Sequence, residues 1–336
     1  MKSSLYELEE ARLKAEIKKR GAKRVLIQLP EGLKPEGPRL ANAVEKAGAL
    51  AIVSGDPCYG ACDLAVHEAE SLGADLIVHL GHSQMISTPD RVPIIYIEAK
   101  SKLGLSSAVN KALTLLKPWK RIGLVTTVQH VEMIGRVKEQ LVEAGKKVEM
   151  GNSGRLLQPG QVTGCNYGNA LAVARNVDAL LFVGGGRFHA IGAALATSKP
   201  TVVADPYENR AYSVDAEVQR VVKQRWANIE AGVKATHFGV IVGLKIGQRR
   251  LESALRIKEK LAKAGKGTTL LAMHEVTPEA LLEFPSIDAY VNTACPRIGL
   301  DDSTKFQKPV LTTKEALVVV GELKWERLLK EGWFED

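Results

Sequence analysis

The chain has 336 residues, 45% of them hydrophobic and 25% charged, with a formal net charge of +8. These are the proportions of a soluble globular protein too long for one ordinary core, and no run of about 18 apolar residues is present to span a bilayer. Four cysteines are too few for a disulfide scaffold. The charged, helix-patterned N-terminus lacks the apolar segment of a secretory signal. Lys and Arg are dispersed, and an aromatic content of 5% argues against base-stacking platforms. The expectation is a cytoplasmic protein that engages neither membrane nor nucleic acid directly.

After the first helix, Arg24–Leu29 is a short apolar run stopped by Pro30 and Gly32, which reads as a buried strand and turn. A helix at PRLANAVEKAGA, the strand LAIVSG, a loop with Cys58 and Cys62, and a helix over Leu64–Leu72 follow. The strand ADLIVHL, the turn Gly81–Ser83 and the strand VPIIYIE close this unit. The same grammar restarts at RIGLVTT: helix VEMIGRVKEQLVEAG, strand KKVEMG, a loop with Cys165, helix NALAVARN, then strands VDALLFVGGG and KPTVVADP. A third round runs from HFGVIVG through the helix RRLESALRIKEKLAKAG, strand TTLLAMH, helix PEALLEF, and strands IDAYVNT and KPVLTTK. Strands alternating with helices at this spacing imply parallel pairing through right-handed crossovers.

The repetition is plainest at the third strand of each round, in ADLIVHLGHS, VDALLFVGGGRFH and IDAYVNTACPR, each opened by an Asp beside an apolar run. The expected fold class is therefore α/β: three repeated α/β domains with parallel sheets arranged around a pseudo-threefold axis. The predicted boundaries are 1–118 with an N-terminal helix, 119–234, and 235–336 with a C-terminal helix. Open parallel sheets bind ligands at the carboxyl ends of their strands, so three sets of loops are expected to face one central cluster site.

A lone cysteine is most often a small buried hydrophobe. Here, however, the cysteines fall in loops beside small residues at strand carboxyl ends. Cys58 and Cys62 form C-x3-C, and Ala65 stands where the common radical-enzyme motif has its third cysteine. Zinc would ordinarily draw its cysteines in close pairs, and only one loose pair exists. In the repeat register Cys62, in YGACDLA, matches Cys165, in VTGCNYG, whereas Cys58 falls opposite Gln161; Cys295, in NTACPR, follows the third strand instead of the second. Soft thiolates from three distant loops suit an iron-sulfur cluster better than a hard cation. Three ligands on a 4Fe-4S cluster leave one iron open to chelate S-adenosylmethionine.

The motifs GDPCYGACDLA, VTGCNYG, NTACPRIGLDD, TTVQH and GLKIGQRR, spanning nearly the whole chain, resemble those of the archaeal diphthamide biosynthesis enzymes. These are non-classical radical S-adenosylmethionine 3-amino-3-carboxypropyltransferases. The resemblance implies a homodimer with a 4Fe-4S cluster held by Cys62, Cys165 and Cys295. It further implies cleavage of the bond between sulfur and the methionine γ-carbon, with transfer of the 3-amino-3-carboxypropyl group to C2 of a histidine imidazole on translation elongation factor 2. A reductant protein of unknown identity is required. Cys58 matches no ligand position of that family. No catalytic side chain beyond the cluster is expected. The polar strand-end residues His82, Gln129, His130, Lys245, Gln248, Arg297 and Asp205, with Gly81 and Gly185, are the candidates to contact S-adenosylmethionine. Asp301 and Asp302 could accept a proton or cap the following turn, and the cap is the favoured reading. Two alternatives stand: a quinolinate synthase-like dehydratase using its open iron as a Lewis acid, and a non-catalytic cluster-bearing subunit that transfers electrons or positions another protein.

Overall fold

The computed structural model describes residues 4–86, 92–152, 158–301 and 303–334; Asp302 lies outside them. The chain divides into two compact bodies, the first made of Met1–Gly104, Val128–Glu132 and Lys245–Gly247, and the second of the remainder.

The strands of the first body are β1 (Tyr6–Glu7), β2 (Arg24–Gln28), β3 (Leu50–Val53), β4 (Leu76–Leu80), β5 (Ile94–Ile97) and β6 (Lys100–Ser101). Four of them form a parallel sheet in the order β3-β2-β4-β5, while β1 and β6 pair antiparallel as a separate ribbon. Successive side chains of a strand point to opposite faces. Val25, Ile27 and Val78 accordingly join Leu13, Ile17, Leu40 and Val44 in one core, and Leu26 and Ile77 meet Ala65 and Ala69 on the other face. Cover on both faces explains why β4 reads as an unbroken buried run.

The second body continues with β7 (Arg121–Thr126), β8 (Lys147–Glu149), β9 (Ala179–Val183), β10 (Thr201–Asp205) and β11 (Arg210–Ser213). These form a sheet in the order β11-β10-β9-β7-β8, parallel except for β11. Then β12 (His237–Gly243), β13 (Gly267–Met273), β14 (Ala289–Asn292) and β15 (Val310–Thr312) form an all-parallel sheet, ordered β13-β12-β14-β15. In all three larger sheets the second, first, third and fourth strands of the round lie side by side in that order. The topology is repeated as well as the sequence grammar.

One residue shows why the grammar recurs. Asp75, Asp178 and Asp288 each precede the third strand of a round. Each carboxylate accepts hydrogen bonds from the two backbone N–H groups opening the first strand: Lys23 and Arg24, Lys120 and Arg121, Thr236 and His237. Each aspartate's own N–H in turn donates to the first-strand carbonyl of Arg24, Arg121 or His237. The carboxylate thus fixes the register of the central strand pair using donors the sheet leaves over.

The structure also holds elements that the periodicity does not announce. The helices Ser106–Leu115, Phe188–Thr197 and Asp215–Lys234 fill connections between strands. Six of the ten residues of Phe188–Thr197 are buried and its exposed residue, Phe188, is itself apolar, so no polar face marks its period. The short antiparallel β11 is reached through a turn in which Asn209 takes a φ of 47°.

Candidate cluster-binding cysteines

Cys62 lies in a turn in which the Asp63 N–H donates to the Gly60 carbonyl at 2.9 Å. Its own carbonyl accepts from the Gly247 N–H at 2.9 Å. A Cβ on residue 247 would stand 2.5 Å from the Cys62 Cα, so this approach requires glycine. Asp63 pairs with Lys245 at 2.8 Å, and the Lys245 ammonium lies 4.3 Å from the Tyr59 ring centroid. Buried Gln28, at the end of β2, holds the far side of the loop: its Nε2 donates to the Asp63 carbonyl at 2.7 Å and its Oε1 accepts from the Ala65 N–H at 3.1 Å. Cys62 is half-buried, whereas Cys58 is 1% exposed. Burial, reinforced by the negative charge of Asp63, pushes the Cys58 thiol up to about 12.

Cys165 and Cys295 both belong to the second body. The Asn169 amide donates to the carbonyls of Gln158 and Gln161 at 3.0 and 2.9 Å. The Thr163 hydroxyl accepts from the Asn166 N–H, and the Asn166 side chain from the Gly168 N–H. The loop that presents Cys165 is therefore held by its own side chains, just ahead of the helix Gly168–Ala174. Cys295 immediately precedes the helix Pro296–Asp301, so it too stands at a helix start, a likeness to Cys165 that the sequence reading does not draw. The Ile298 N–H donates to the Cys295 carbonyl at 3.1 Å, and the side-chain oxygen of buried Asn292 accepts from the Ala294 N–H at 3.0 Å. Cys165, Arg250, Asn292, Thr293 and Pro296 line one cleft with Thr312, Thr313 and Trp333. Tyr167, whose phenol is pushed up by burial, also feels the charges of Arg297 and Asp301. None of the four cysteines is in a disulfide.

The other polar residues singled out from sequence are mostly engaged with the chain itself. The Gln129 amide donates to the Gly81 carbonyl at 2.7 Å and to that of Glu98 at 3.3 Å. The Asp205 carboxylate accepts from the N–H groups of Gly186, Tyr207 and Glu208, and Gly185 lies against the Tyr207 ring. The glycine run after β9 is thus a turn bound to the end of β10. His130 and Gln248 are buried. Arg297 stacks on Phe188, 3.8 Å from the ring centroid, and pairs with Asp301 at 2.6 Å. Asp301 therefore anchors a guanidinium within its own helix, beyond the turn-capping role its position suggests. His82 faces His79, with His82 Nδ1 3.0 Å from His79 Nε2. Gln28, His79 and Arg250 were not singled out by the sequence. The first two sit inside strand patterns that read as core, and the third in a basic stretch that reads as solvated surface.

Three α/β rounds with cysteines in their strand-end loops define a protein with a soft, thiolate donor set. The chain belongs to the family described as putative diphthamide synthesis protein, whose model matches residues 29–329. It is 40% identical over 319 residues to the 2-(3-amino-3-carboxypropyl)histidine synthase of Pyrococcus horikoshii, covering 94% of this chain and 91% of that protein. Subunit 1 of the corresponding synthase from Gallus gallus is 30% identical, over 96% of this chain and 79% of that one. The crystal structure of Dph2 from Pyrococcus horikoshii with a 4Fe-4S cluster superposes with a TM-score of 0.88 at 38% identity, covering 99% of this chain and 94% of that chain.

Proposed function

We propose that this chain performs the first step of diphthamide biosynthesis, transferring the 3-amino-3-carboxypropyl group of S-adenosylmethionine to C2 of a histidine imidazole on translation elongation factor 2. The observation that carries this reading is the pairing of family membership with partly accessible cysteines in strand-end loops at Cys62, Cys165 and Cys295. The donor set fits the cofactor: thiolates are the iron-sulfur ligands, and each lies in a loop held by hydrogen bonds from neighbouring residues. Those three cysteines would hold a 4Fe-4S cluster. When bound, the cluster supplies the electron that breaks the bond between sulfur and the γ-carbon.

The remaining work falls to the chain's own side chains. Arg250, lining the cleft with Cys165, is assigned to bring positive charge to the methionine carboxylate, and Arg297, held by Asp301 and Phe188, to fix the helix that follows Cys295. Lys245, neutralised by Asp63, and Gln129 and Asp205, bonded to backbone, are assigned to hold loops in place. Elongation factor 2, a second copy of the chain and a reductant protein are its proposed partners, in the cytoplasm. Among the described residues no helix is long and apolar enough to cross a membrane.

The test is anaerobic reconstitution with iron and sulfide, reduction with dithionite, and incubation with S-adenosylmethionine and elongation factor 2. Methylthioadenosine together with a mass increase on one histidine is expected. Release of 5′-deoxyadenosine, or no cleavage, would refute the reading.

A further inference from the structure

The first body holds a second concentration of soft donors, none of which is needed for the cluster. Cys58, His79 and His82 bring one sulfur and two imidazole nitrogens within 4.8 Å of one another. Each arrives from a defined piece of the fold. His79, fully buried, is the penultimate residue of β4, and Cys58, also buried, comes from the loop that continues to Cys62. Gly81, with a φ of +79°, turns the chain so that His82 folds back towards His79. A side chain at 81 would be strained by this φ and crowded by Pro30, whose Cγ would lie 3.0 Å from the added Cβ.

The ring of His79 is oriented from behind. Its Nδ1 lies 2.9 Å from Gln28 Oε1, and that oxygen is identified as the acceptor because the Gln28 amide nitrogen donates to the Asp63 carbonyl while the oxygen also takes the Ala65 N–H. Nδ1 therefore carries the proton, and Nε2 turns its lone pair towards His82 and Cys58. This is how a hydrogen-bonding partner outside the ligand set fixes the tautomer of a metal-binding histidine. Burial keeps both rings neutral at physiological pH, holding His79 down at about 3 and His82 at about 4. The lone pairs needed by a cation are thus available. One sulfur and two imidazoles form a borderline-soft set, which suits zinc and rejects magnesium or calcium.

We propose that Cys58, His79 and His82 form a zinc site, separate from the cluster ligands, that ties the loop presenting Cys62 to the carboxyl end of β4. Binding releases the Cys58 thiol proton and breaks the hydrogen bond that His82 Nδ1 donates to His79 Nε2, the His82 proton moving from Nδ1 to Nε2 so that Nδ1 can face the metal. A water molecule completes the tetrahedron. The site gives Cys58 a role without adding it to the cluster.

The full-length protein, purified anaerobically with iron and zinc supplied and then desalted, is analysed for both metals. About one zinc per chain is expected, held by three protein ligands and a water. Cys58→Ser and His79→Gln lose the zinc but keep the iron and its visible absorbance. Cobalt(II) alone, added to the chelator-treated Cys62→Ala/Cys165→Ala/Cys295→Ala protein, gives a thiolate-to-cobalt charge-transfer band that Cys58→Ser abolishes. Cys58→Ser is close to isosteric, so its result stands even if circular dichroism shows His79→Gln to be misfolded. Zinc in the parent chain no higher than in Cys58→Ser overturns the proposal. So does loss of iron in Cys58→Ser, which would move Cys58 into the cluster. Zinc content is read independently of methylthioadenosine formation, so failure here is distinguishable from failure of the proposed activity.

Discussion

Replacing Glu315 by alanine tests whether the second body depends on one buried ion pair. Arg225, from the helix Asp215–Lys234, and Glu315, from the helix Thr313–Val319, are both wholly buried. The pair is bidentate, with Arg225 Nε donating to Glu315 Oε1 at 2.7 Å and its Nη2 to Oε2 at 2.5 Å. Arg225 also donates to the carbonyls of Gly299 and Val310 at 2.6 and 2.7 Å, while Glu315 accepts from the Trp333 indole N–H at 2.7 Å and the Thr312 N–H at 2.8 Å. Alanine leaves the guanidinium charge uncompensated in a dry interior and strands the indole donor. Losing one partner of such a pair costs about 3–5 kcal/mol. The reporter is built in, because Trp226, Trp325 and Trp333 form a chain with ring centroids 5.1 and 5.8 Å apart. Their fluorescence during urea unfolding should show an earlier midpoint at unchanged slope. Arg225→Met combined with Glu315→Leu should recover most of the loss, since an apolar pair of similar volume removes the stranded charge. A Glu315→Ala midpoint within about 0.5 kcal/mol of the parent chain, the range of an inconsequential surface change, would refute the reasoning. Because Gly299 lies in the helix that follows Cys295, the same variant should also bind iron less tightly.

Cys62→Ala, Cys165→Ala and Cys295→Ala are each expected to lose the iron and its visible absorbance after reconstitution; retention in any one of them would remove that residue from the ligand set. Gly247→Ala forces a Cβ to 2.5 Å from the Cys62 Cα, so iron content should fall while far-ultraviolet circular dichroism stays unchanged; full iron loading would show that the turn can move aside. Acid unfolding should carry the signature of the register aspartates. The Thr236 hydroxyl and the backbone N–H groups of Thr236 and His237 hold Asp288 down at about 2, and Arg121 does the same for Asp178. Between roughly pH 4, the ordinary aspartate value, and about 2, the unfolded chain binds more protons than the folded one, so stability falls as pH drops through this window. Asp288→Asn should flatten that slope in a pH series of urea midpoints, and an unaltered slope would count against the assignment.

Every expected strand forms, and the central ones, such as β4 and β9, read as short unbroken apolar runs because a parallel sheet buries both of their faces. The threefold grammar was equally readable through Asp75, Asp178 and Asp288, since the same backbone donors must be met in each round. The connecting helices were harder to see. Phe188–Thr197 lacks a charged face to betray its period, and the antiparallel β11 is only four residues long.

For the functional residues the division is sharper. Sequence alone singled out Cys62, Cys165 and Cys295, because unusual residues beside glycine and alanine at strand ends leave a local mark, and it set Cys58 aside as unmatched. Tertiary structure decided what surrounds them. That His79 and His82 meet Cys58 depends on the turn at Gly81 and on Gln28 reaching across from a neighbouring strand. That Lys245 and Arg297 are already ion-paired depends on Asp63, 182 positions away in the chain from Lys245, and on Asp301 one helical turn beyond Arg297. A residue's type and immediate neighbours are local properties, legible in one dimension. The partner that satisfies its charge or fixes its tautomer is chosen by the packing of distant segments, which only the folded chain brings together.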